Sequence, residues 1–387
     1  YPGRSNDDRG ADFRDAIMAT RKGLVRGDVE VHAKSSDWQA HRHHRDQAYK
    51  QVILQVVMWH NATASLLNGG DIPVLALEKY LKEPYNRKPD RAPPGFRGLP
   101  CCQAHERLSE KAIARFLDQA GEERFFTKAT RFQSELAEME AGQCLYQGIM
   151  EALGYAKNKI PFLELAHRLP LKVLESIVRS EMPEEECLVR LQALLLGTAG
   201  LLSCQCQIRL GCNDVWIARI ERLWAVSGNT QAMSPDAWYF FKVRPNNSPI
   251  RRLVALSHLI VRYKRGLLAE LLEEVRTVPL DKGCRRLESA LRVSSNQKGT
   301  FLGSGRAADI GVNVLLPFSF AWGKVTPQQE LAEKALALYR HYPGLIANAV
   351  ERHMTKQLGL NNGLGNSARR QQGLLHTHRT LCTQGRS

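Results

Sequence analysis

One segment rich in proline, glycine and arginine divides this sequence into two parts of different character. KEPYNRKPDRAPPGFRGLP (residues 82–100) has no hydrophobic periodicity, and so many prolines and glycines interrupt both helices and strands. Before this segment apolar and polar residues tend to alternate, whereas after it apolar residues recur every three or four positions. The pattern predicts an α/β domain at 1–85, a Pro-rich linker at 86–105 and a mostly helical domain at 106–387.

The N-terminal part is predicted to form a small mixed β-sheet, which gives the chain an α+β fold class. ADFRDAIMAT (11–20) and DVEVHAK (28–34) are joined by a turn-like segment, which is typical of a β-hairpin. QVILQVVMW (51–59) is a β-branched run of the kind that is buried on both faces of a sheet. IPVLALEKYL (72–81) suits a short strand or the start of a helix.

The C-terminal part is predicted to consist mainly of helices. Residues 109–155 carry apolar side chains at helical spacing over the length of two long helices. The most apolar run, 191–204, is too short to span a membrane comfortably and is expected to be a buried helix. Further helices are expected at 327–341, at 343–358 and near 367–381.

The charge balance favours a polyanionic partner. Among 387 residues, 54 are Lys or Arg and 39 are Asp or Glu, a net charge of +15. Nucleic acid is the commonest partner of a protein with such an excess of basic residues. The alternative is that the positive charge only keeps the protein soluble. The arginines predicted to contact nucleic acid are Arg251, Arg252, Arg306, Arg369 and Arg370.

Two motifs around these arginines also have structural explanations. In RPNNSPIRRL (244–253), Asn247 or Ser248 is predicted to cap a helix, which leaves Arg251 and Arg252 exposed. GSGRAADIGVNVLLPF (303–318) opens with a glycine-rich turn that suits phosphate binding at a helix start, yet it lacks the lysine of a nucleotide P-loop. The alternative that we favour there is a structural pair between Arg306 and Asp309, three residues further along.

The cysteine content favours a reducing cytoplasm. Nine cysteines, an odd number at uneven spacing, suit free thiols better than a disulfide framework. SCQCQIRLGC (203–212) and the adjacent pair Cys101 and Cys102 lack the paired spacing of a zinc ribbon, so neither zinc nor an iron–sulfur cluster is expected there. We also expect no membrane association. The chain starts at Tyr1 in a loop typical of the exit from a strand, so preceding residues are expected.

The strongest candidate site lies on the predicted hairpin. Strand periodicity places Asp28, Glu30, His32 and Lys34 on one face, and Val29, Val31 and Ala33 on the other. Asp12, on the neighbouring strand, and Glu30 are predicted to hold Mg²⁺ or Mn²⁺, because hard ions prefer carboxylate oxygens. His32 and Lys34 would then position the attacking water or stabilise the leaving group. A solvated strand face is the alternative.

A histidine-rich segment, HRHHRD (41–46), follows the hairpin. His41 and His44 are one helical turn apart, so with Asp37 or Asp46 they suit Zn²⁺ or Mn²⁺ binding. A His-rich surface turn is the simpler alternative. If the segment instead caps the sheet, its imidazoles would lie beside Glu30 and His32 and serve the same site.

The order of these elements resembles the core of the PD-(D/E)xK nuclease superfamily. A strand with G-x-D-F, a turn, a strand with E-x-H-x-K, a helical segment and a buried strand follow one another over about 60 residues. The resemblance implies that Asp12 and Glu30 bind the metal and that a lysine assists the water. His32 occupies the usual lysine position, so that role would pass to Lys34. An acidic residue common on a helix before the first strand has no counterpart here.

Over nearly its whole length the chain is also similar to a bacterial family, domain of unknown function 2851. The similar segments are GADFRDA, GDVEVHAKSSDW, HRHHRD, LGYAKNKIPF, RPNNSPIRRL, GRAADIGVNVLLPF and RRQQGLLH. This resemblance carries no established activity. Three functions therefore stay open: a metal-dependent nuclease or phosphodiesterase, a non-catalytic nucleic-acid-binding or scaffold protein on a nuclease-like fold, and a hydrolase of small phosphorylated molecules.

Overall fold

The chain divides by its internal contacts into two compact units, Tyr1–Gly95 and Phe96–Ser387. The structure, a computed structural model, describes residues 1, 3–6, 10–20, 23–66, 69–80, 108–155, 157–202, 214–228, 231–240, 243, 247–281, 283–295, 299–360 and 365–382. The predicted linker, 86–105, lies wholly outside the described residues.

The first unit is built on a mixed five-stranded sheet. Its strands are β1 (Arg4–Ser5), β2 (Phe13–Thr20), β3 (Gly23–Lys34), β4 (Val52–Trp59) and β7 (Val74–Ala76), which lie side by side in that order. β1, β2 and β3 pair antiparallel, and β3–β4 and β4–β7 pair parallel. Two short strands, β5 (Ala64–Ser65) and β6 (Asp71–Ile72), form a separate pair. The mixed sheet agrees with the predicted α+β layout, whereas its nuclease-like character stays a prediction.

The middle of the polar face of β3, at Glu30 and His32, is buried, whereas Lys34 on the same face is exposed as in the solvated alternative. The side chains of Glu30 and His32 are only 7% and 5% exposed, whereas Val31 on the opposite face is 42% exposed. The cover is the segment after β3, which forms helix α1 (Asp37–Ala40) and two short 3₁₀ turns. Trp38, fully buried, donates a hydrogen bond from Nε1 to Ser65 O at 2.9 Å and anchors this cover.

Residues 37–49, which we name the cap segment, share a small core with the sheet. Its buried members are Ala11, Trp38, Tyr49, Val52, Ala64 and Ile72. Two irregularities in the strand register lie just before Glu30 on β3: one is between Phe13 and Ala16 of β2, where Asp15 has a φ of 57°, and the other follows Asp28. Such bulges re-aim the side chains next to them.

The second unit is mostly helical, in agreement with its sequence pattern. Its α-helices are α2 (Glu110–Leu136), α3 (Ala141–Gly154), α4 (Lys159–Arg168), α5 (Leu171–Val178), α6 (Glu184–Thr198), α7 (Asp214–Ala225), α8 (Pro249–Arg262), α9 (Leu267–Thr277), α10 (Gly283–Leu291), α11 (Ser304–Ile310), α12 (Leu316–Val325), α13 (Gln329–His341), α14 (Ala349–Gln357) and α15 (Ala368–Thr377). The two long helices predicted at 109–155 are α2 and α3. Among the described helices, none has both the length and the apolar character needed to cross a bilayer.

Three details of this unit differ from the sequence-based expectation. A β-hairpin of β8 (Val293–Ser295) and β9 (Gly299–Leu302) lies among the helices. Residues Gly311–Leu315 form a π-helical turn between α11 and α12. The helix predicted from residue 343 begins only at Ala349, because Asn348 caps it and exchanges hydrogen bonds with Glu351.

Helices α2 and α15 approach each other so closely that each presents a glycine to the other's backbone. A Cβ atom on Gly121 would lie 2.0 Å from Arg369 O, and one on Gly373 would lie 2.2 Å from Leu117 O. Only glycine fits both positions, because a real Cβ atom does not approach a carbonyl oxygen so closely. Tyr339 Oη, from α13, donates a 2.7 Å hydrogen bond to Gly121 O and fixes the same contact.

Candidate functional site

The carboxylates of Asp12 and Glu30 each accept a backbone hydrogen bond, Glu30 from Asp12 itself and Asp12 from Val31, the residue after Glu30. Asp12 N donates to Glu30 Oε2 at 3.0 Å, and Val31 N donates to Asp12 Oδ2 at 3.1 Å. Each carboxylate is therefore fixed by the backbone of the other residue's strand. The structure thus brings together the two acids that the sequence predicted as metal ligands.

Three imidazoles lie next to this pair of acids. Their metal-binding atoms, one each from His32, His41 and His43, all lie within 4.8 Å of one another. His32 Nε2 lies 3.2 Å from His41 Nδ1 and 3.5 Å from Glu30 Oε1. His43 Nε2 lies 3.5 Å from the same Glu30 oxygen. Three imidazole nitrogens and one carboxylate oxygen of Glu30 thus lie close together under the cap segment.

The cap segment brings His43 to the cluster, and His44, which was predicted to bind a metal with His41, is not among the three clustered histidines. That prediction assumed a continuous helix, in which residues three apart share a face. Helix α1 instead ends at Ala40, and Arg42 adopts a left-handed backbone with φ 60° before the next turn. His44 Nε2 accepts a hydrogen bond from Arg45 Nε at 3.1 Å.

The position of His43 had no clear signal in the sequence. Its ring stacks on Tyr49 with ring centroids 3.8 Å apart and stands edge-on to Trp38 at 5.4 Å. These two aromatic residues occur at irregular spacing in the segment, so neither strand nor helix periodicity placed them beside it. The aromatic residues around the HRHHRD motif were the only available hint.

Burial favours the neutral form of His32 and His43. Burial and the neighbouring His41 lower the pKa of His32 from its ordinary value, although Asp37 and Asp12 oppose the shift. Burial together with His32 and His41 lowers the pKa of His43 to about 4. A neutral imidazole offers a nitrogen lone pair, which is the form in which histidine binds a metal.

Gln55 lies behind His32 on strand β4 and is fully buried. Its Nε2 lies 3.0 Å from His32 Nδ1 and donates to Ser35 O at 3.3 Å. Its Oε1 is buried without a hydrogen-bond partner in the described part of the chain. No role was predicted for this residue, because a single glutamine in an apolar strand carries no motif.

The remaining predicted residues of the first unit have local structural roles. Asp37 Oδ2 accepts a 3.0 Å hydrogen bond from Lys34 N, and Asp46 Oδ1 accepts one from Ala48 N at 3.0 Å. Both aspartates thus shape the cap segment. Lys34 is exposed near the end of β3, where it pairs with Trp59 of β4.

Arg251 and Arg252 lie on α8, and the expectation that both are exposed is wrong. Arg252 is only 4% exposed; it donates to Phe301 O at 3.1 Å and to Asn247 Oδ1 at 2.7 Å. Arg251 is half-buried and donates to Thr300 O at 3.3 Å. Both guanidinium groups hold the β8–β9 hairpin, which the sequence pattern had not revealed. Ser248 is the N-cap residue of α8, with Pro249 after it.

The other three predicted arginines are also paired within the second unit. Arg306 Nη1 lies 3.1 Å from Asp309 Oδ2, which is the structural pair favoured from the sequence. Arg369 contacts Glu122 at 3.0 Å, and Arg370 contacts Asp118 at 3.0 Å, so both tie α15 to α2. The side chains of these last two are partly exposed.

The cysteines that the structure describes as free thiols are Cys144, Cys187 and Cys284. Burial raises the pKa of Cys144 to about 12 and that of Cys284 to about 11, so both stay protonated. The motif at 203–212 and the pair Cys101 and Cys102 lie outside the described residues.

Comparison with curated proteins and with solved structures gives no match. The nuclease-like resemblance of the first strands accordingly stays a prediction. A family model described as "Protein of unknown function (DUF2851)" matches residues 1–344. Since the match covers most of its length, the chain belongs to the DUF2851 family.

Proposed function

We propose that this protein is a divalent-metal-dependent phosphodiesterase that cuts nucleic acid, with Asp12 and Glu30 at the centre of its active site. The observation that carries the proposal is that Asp12 N donates to Glu30 and Val31 N donates to Asp12, which holds both acids side by side next to a cluster of three imidazoles. Acids held by backbone N–H groups keep their geometry when a charged substrate arrives. The mixed sheet, in which an antiparallel hairpin is followed by a parallel strand, has the order of elements predicted for a nuclease-like core.

In this proposal each residue has a separate role. Asp12 and Glu30 hold Mg²⁺ or Mn²⁺, and the bound ion supplies a nucleophilic water and neutralises phosphate charge. His32 lies beside Glu30 and serves as the proton donor or acceptor at the leaving oxygen. Lys34, which is exposed near the end of the same strand, places the phosphate group.

Nucleic acid is the proposed substrate because of the net charge of +15. Arg369 and Arg370 keep partly exposed side chains while paired to α2, so they stay in the proposal as phosphate contacts. Arg252 does not, because its guanidinium is buried against the β8–β9 hairpin. Exposure of His41 leaves the candidate site open to a ligand from solvent.

The test is cleavage of DNA and RNA by the purified protein with Mg²⁺ or Mn²⁺. Glu30→Gln, which keeps the size of the buried side chain, is expected to abolish cleavage while leaving binding intact. Glu78→Gln, at an exposed acid of the same unit, serves as the matched control and should cut at the wild-type rate. Cleavage that continues unchanged in Glu30→Gln would show that this site assignment is wrong.

A non-catalytic nucleic-acid-binding or scaffold protein is the second candidate. The observation that favours it is that both carboxylates already accept backbone N–H groups, which is also a purely structural use of buried acids. Binding of nucleic acid without cleavage under any divalent metal would select this candidate. Absence of binding at low salt would eliminate both.

A further inference from the structure

We propose that His32, His41, His43 and Glu30 form a tetrahedral Zn²⁺ site. This inference goes beyond the proposed function: the Zn²⁺ is a second ion beside the proposed Mg²⁺ or Mn²⁺, it shares Glu30 with that site, and it takes His32 as a ligand rather than as a proton donor or acceptor. The four donor atoms are His32 Nε2, His41 Nδ1, His43 Nε2 and Glu30 Oε1. They come from strand β3 and from the cap segment, so the ion would fasten the cap segment to the sheet.

The distances between donor atoms match those of a tetrahedral metal site. Metal–ligand bonds of about 2.0–2.2 Å in a tetrahedron place neighbouring ligand atoms roughly 3.3–3.6 Å apart. The three measured separations are 3.2 Å between His32 and His41, and 3.5 Å from Glu30 to each of His32 and His43. The other two histidine pairs lie within 4.8 Å. Glu30 Oε1 is placed by its contacts to His32 and His43, so side chains must move to bring it and His41 into one shell.

The pattern of unsatisfied polar atoms points to a missing partner at the same place. His43 Nε2 is buried and makes no hydrogen bond to any described residue, although it faces Glu30. Buried polar atoms are rarely left without a partner, since the desolvation penalty is then uncompensated. An ion at the centre of the cluster supplies that partner. His41, by contrast, is exposed and provides an entry path.

Gln55 completes the argument from behind the ligands. A histidine that binds a metal through Nε2 carries its proton on Nδ1 and donates it to an acceptor, which fixes the ring. Gln55 lies 3.0 Å from His32 Nδ1, and its Oε1 is buried without a partner among the described residues. Rotation of the amide by 180° exchanges its two terminal atoms, so that Oε1 accepts the Nδ1 proton and the 3.3 Å hydrogen bond to Ser35 O is given up.

The donor set favours zinc over magnesium. Imidazole nitrogen suits Zn²⁺ and related transition ions, whereas Mg²⁺ prefers oxygen ligands and keeps several waters. Three nitrogens and one carboxylate oxygen are therefore a poor set for Mg²⁺. The proposed site is therefore expected to retain Zn²⁺ when the protein is purified without added metal.

The test is direct binding of Zn²⁺ to the full chain after treatment with a chelator, measured by calorimetric titration. One ion per chain is expected at the site, with much weaker binding of Mg²⁺. His41→Ala is the first variant, because His41 is exposed and its removal leaves the core of the unit intact. The Zn²⁺ affinity of this variant is expected to fall at least about 100-fold, beyond the 10- to 100-fold loss that is typical when a residue hydrogen-bonded to a metal ligand is changed. Gln55→Leu is expected to fall within that range.

His44→Ala is the matched control, since it removes a neighbouring imidazole that lies outside the cluster. Its Zn²⁺ affinity should equal that of the wild type. No Zn²⁺ binding, or equal binding by wild type and His41→Ala, would overturn the site and assign any bound ion to other residues. Zn²⁺ binding without nuclease activity would uphold the zinc site and contradict the proposed function. Mg²⁺-dependent cleavage without Zn²⁺ binding would uphold the proposed function and contradict the zinc site.

Discussion

Glu151 forms ion pairs that connect three helices of the second unit. Its carboxylate, on α3, lies 2.8 Å from Arg131 Nη2 on α2 and 3.3 Å from Lys159 Nζ on α4. Burial raises the pKa of Glu151, but hydrogen bonds to both cations and their charges outweigh it and hold the pKa below its ordinary value. A lowered carboxyl pKa stabilises the fold above the unfolded-state value.

We expect Glu151→Gln to lower the free energy of unfolding by about 0.5–1 kcal/mol at pH 7, since its partners are largely exposed. The sign of the pH effect follows from the lowered pKa. The wild type keeps this stabilisation above the unfolded pKa of 4.5 and loses it as pH falls through the lower folded value. The difference between the two proteins should therefore shrink on acidification, as measured by urea unfolding at pH 7 and pH 3.

Glu138→Gln provides the comparison, because Glu138 is exposed on the turn between α2 and α3. It should unfold like the wild type at both pH values. A difference between Glu151→Gln and wild type that is equal at pH 7 and pH 3 would argue against the ion pair.

At the residue scale, the sequence predicted the acids of the candidate site better than its histidines. Asp12 and Glu30 were predicted from strand periodicity, because a period of two fixes the side-chain direction at Glu30 and Asp12 comes directly before β2. His43 was missed because its position depends on a single left-handed residue, Arg42, which shifts the register of the cap segment. No role was predicted for Gln55, because only the parallel pairing of β3 and β4 places it opposite Glu30.

At the level of helices, the closest packing in the second unit joins α2 to α15. We expect Gly121→Ala and Gly373→Ala each to destabilise the protein by about 1–3 kcal/mol, the usual cost of overpacking. The added methyl group would meet a backbone carbonyl, and the two helices would have to separate. The measurement is the midpoint of urea unfolding, followed by circular dichroism.

Gly142→Ala is the matched control on helix α3. Its added Cβ would meet only Leu171 Cδ2, at 3.4 Å, which is close to ordinary contact. Alanine favours helix over glycine by up to about 1 kcal/mol, so this variant should be as stable as the wild type or slightly more stable. Equal urea midpoints for all three variants would contradict the close approach of α2 and α15.

Secondary structure was predictable where one period dominates a long stretch. The β2–β3 hairpin and helices α2 and α3 follow from alternation and from three- and four-residue spacing, respectively. The β8–β9 hairpin was missed because its strands have only three and four residues, too few to show a period. The π-helical turn at Gly311–Leu315 continues an apolar helical pattern and has no distinct sequence signal.

For the whole molecule, the net charge of +15 predicts binding to nucleic acid that depends strongly on salt. Each phosphate contact releases counterions, so the logarithm of affinity falls linearly with the logarithm of salt concentration. With two or more phosphate contacts, we expect affinity to fall at least about tenfold between 50 and 200 mM salt. Fluorescence anisotropy with labelled DNA and RNA oligonucleotides measures this slope.

An oligonucleotide analogue with an uncharged backbone and the same bases is the control, and it should bind weakly at every salt concentration. Affinity that is independent of salt, or equal for the charged and uncharged strands, would contradict a role for phosphate contacts. Because Arg251, Arg252 and Arg306 are engaged inside the fold, their substitution should affect stability more than this slope.

The contact between α2 and α15 also sets the order in which the newly made chain can assemble. Arg124 of α2 donates a hydrogen bond to Gln372 of α15 across 248 positions of sequence. At a synthesis rate of roughly 5–20 residues per second, α2 waits roughly 12–50 s on the ribosome for this partner. The strands of the first unit, by contrast, all pair within the first 76 residues. The sheet can therefore form early, while the helical unit closes only when the last described helix has emerged.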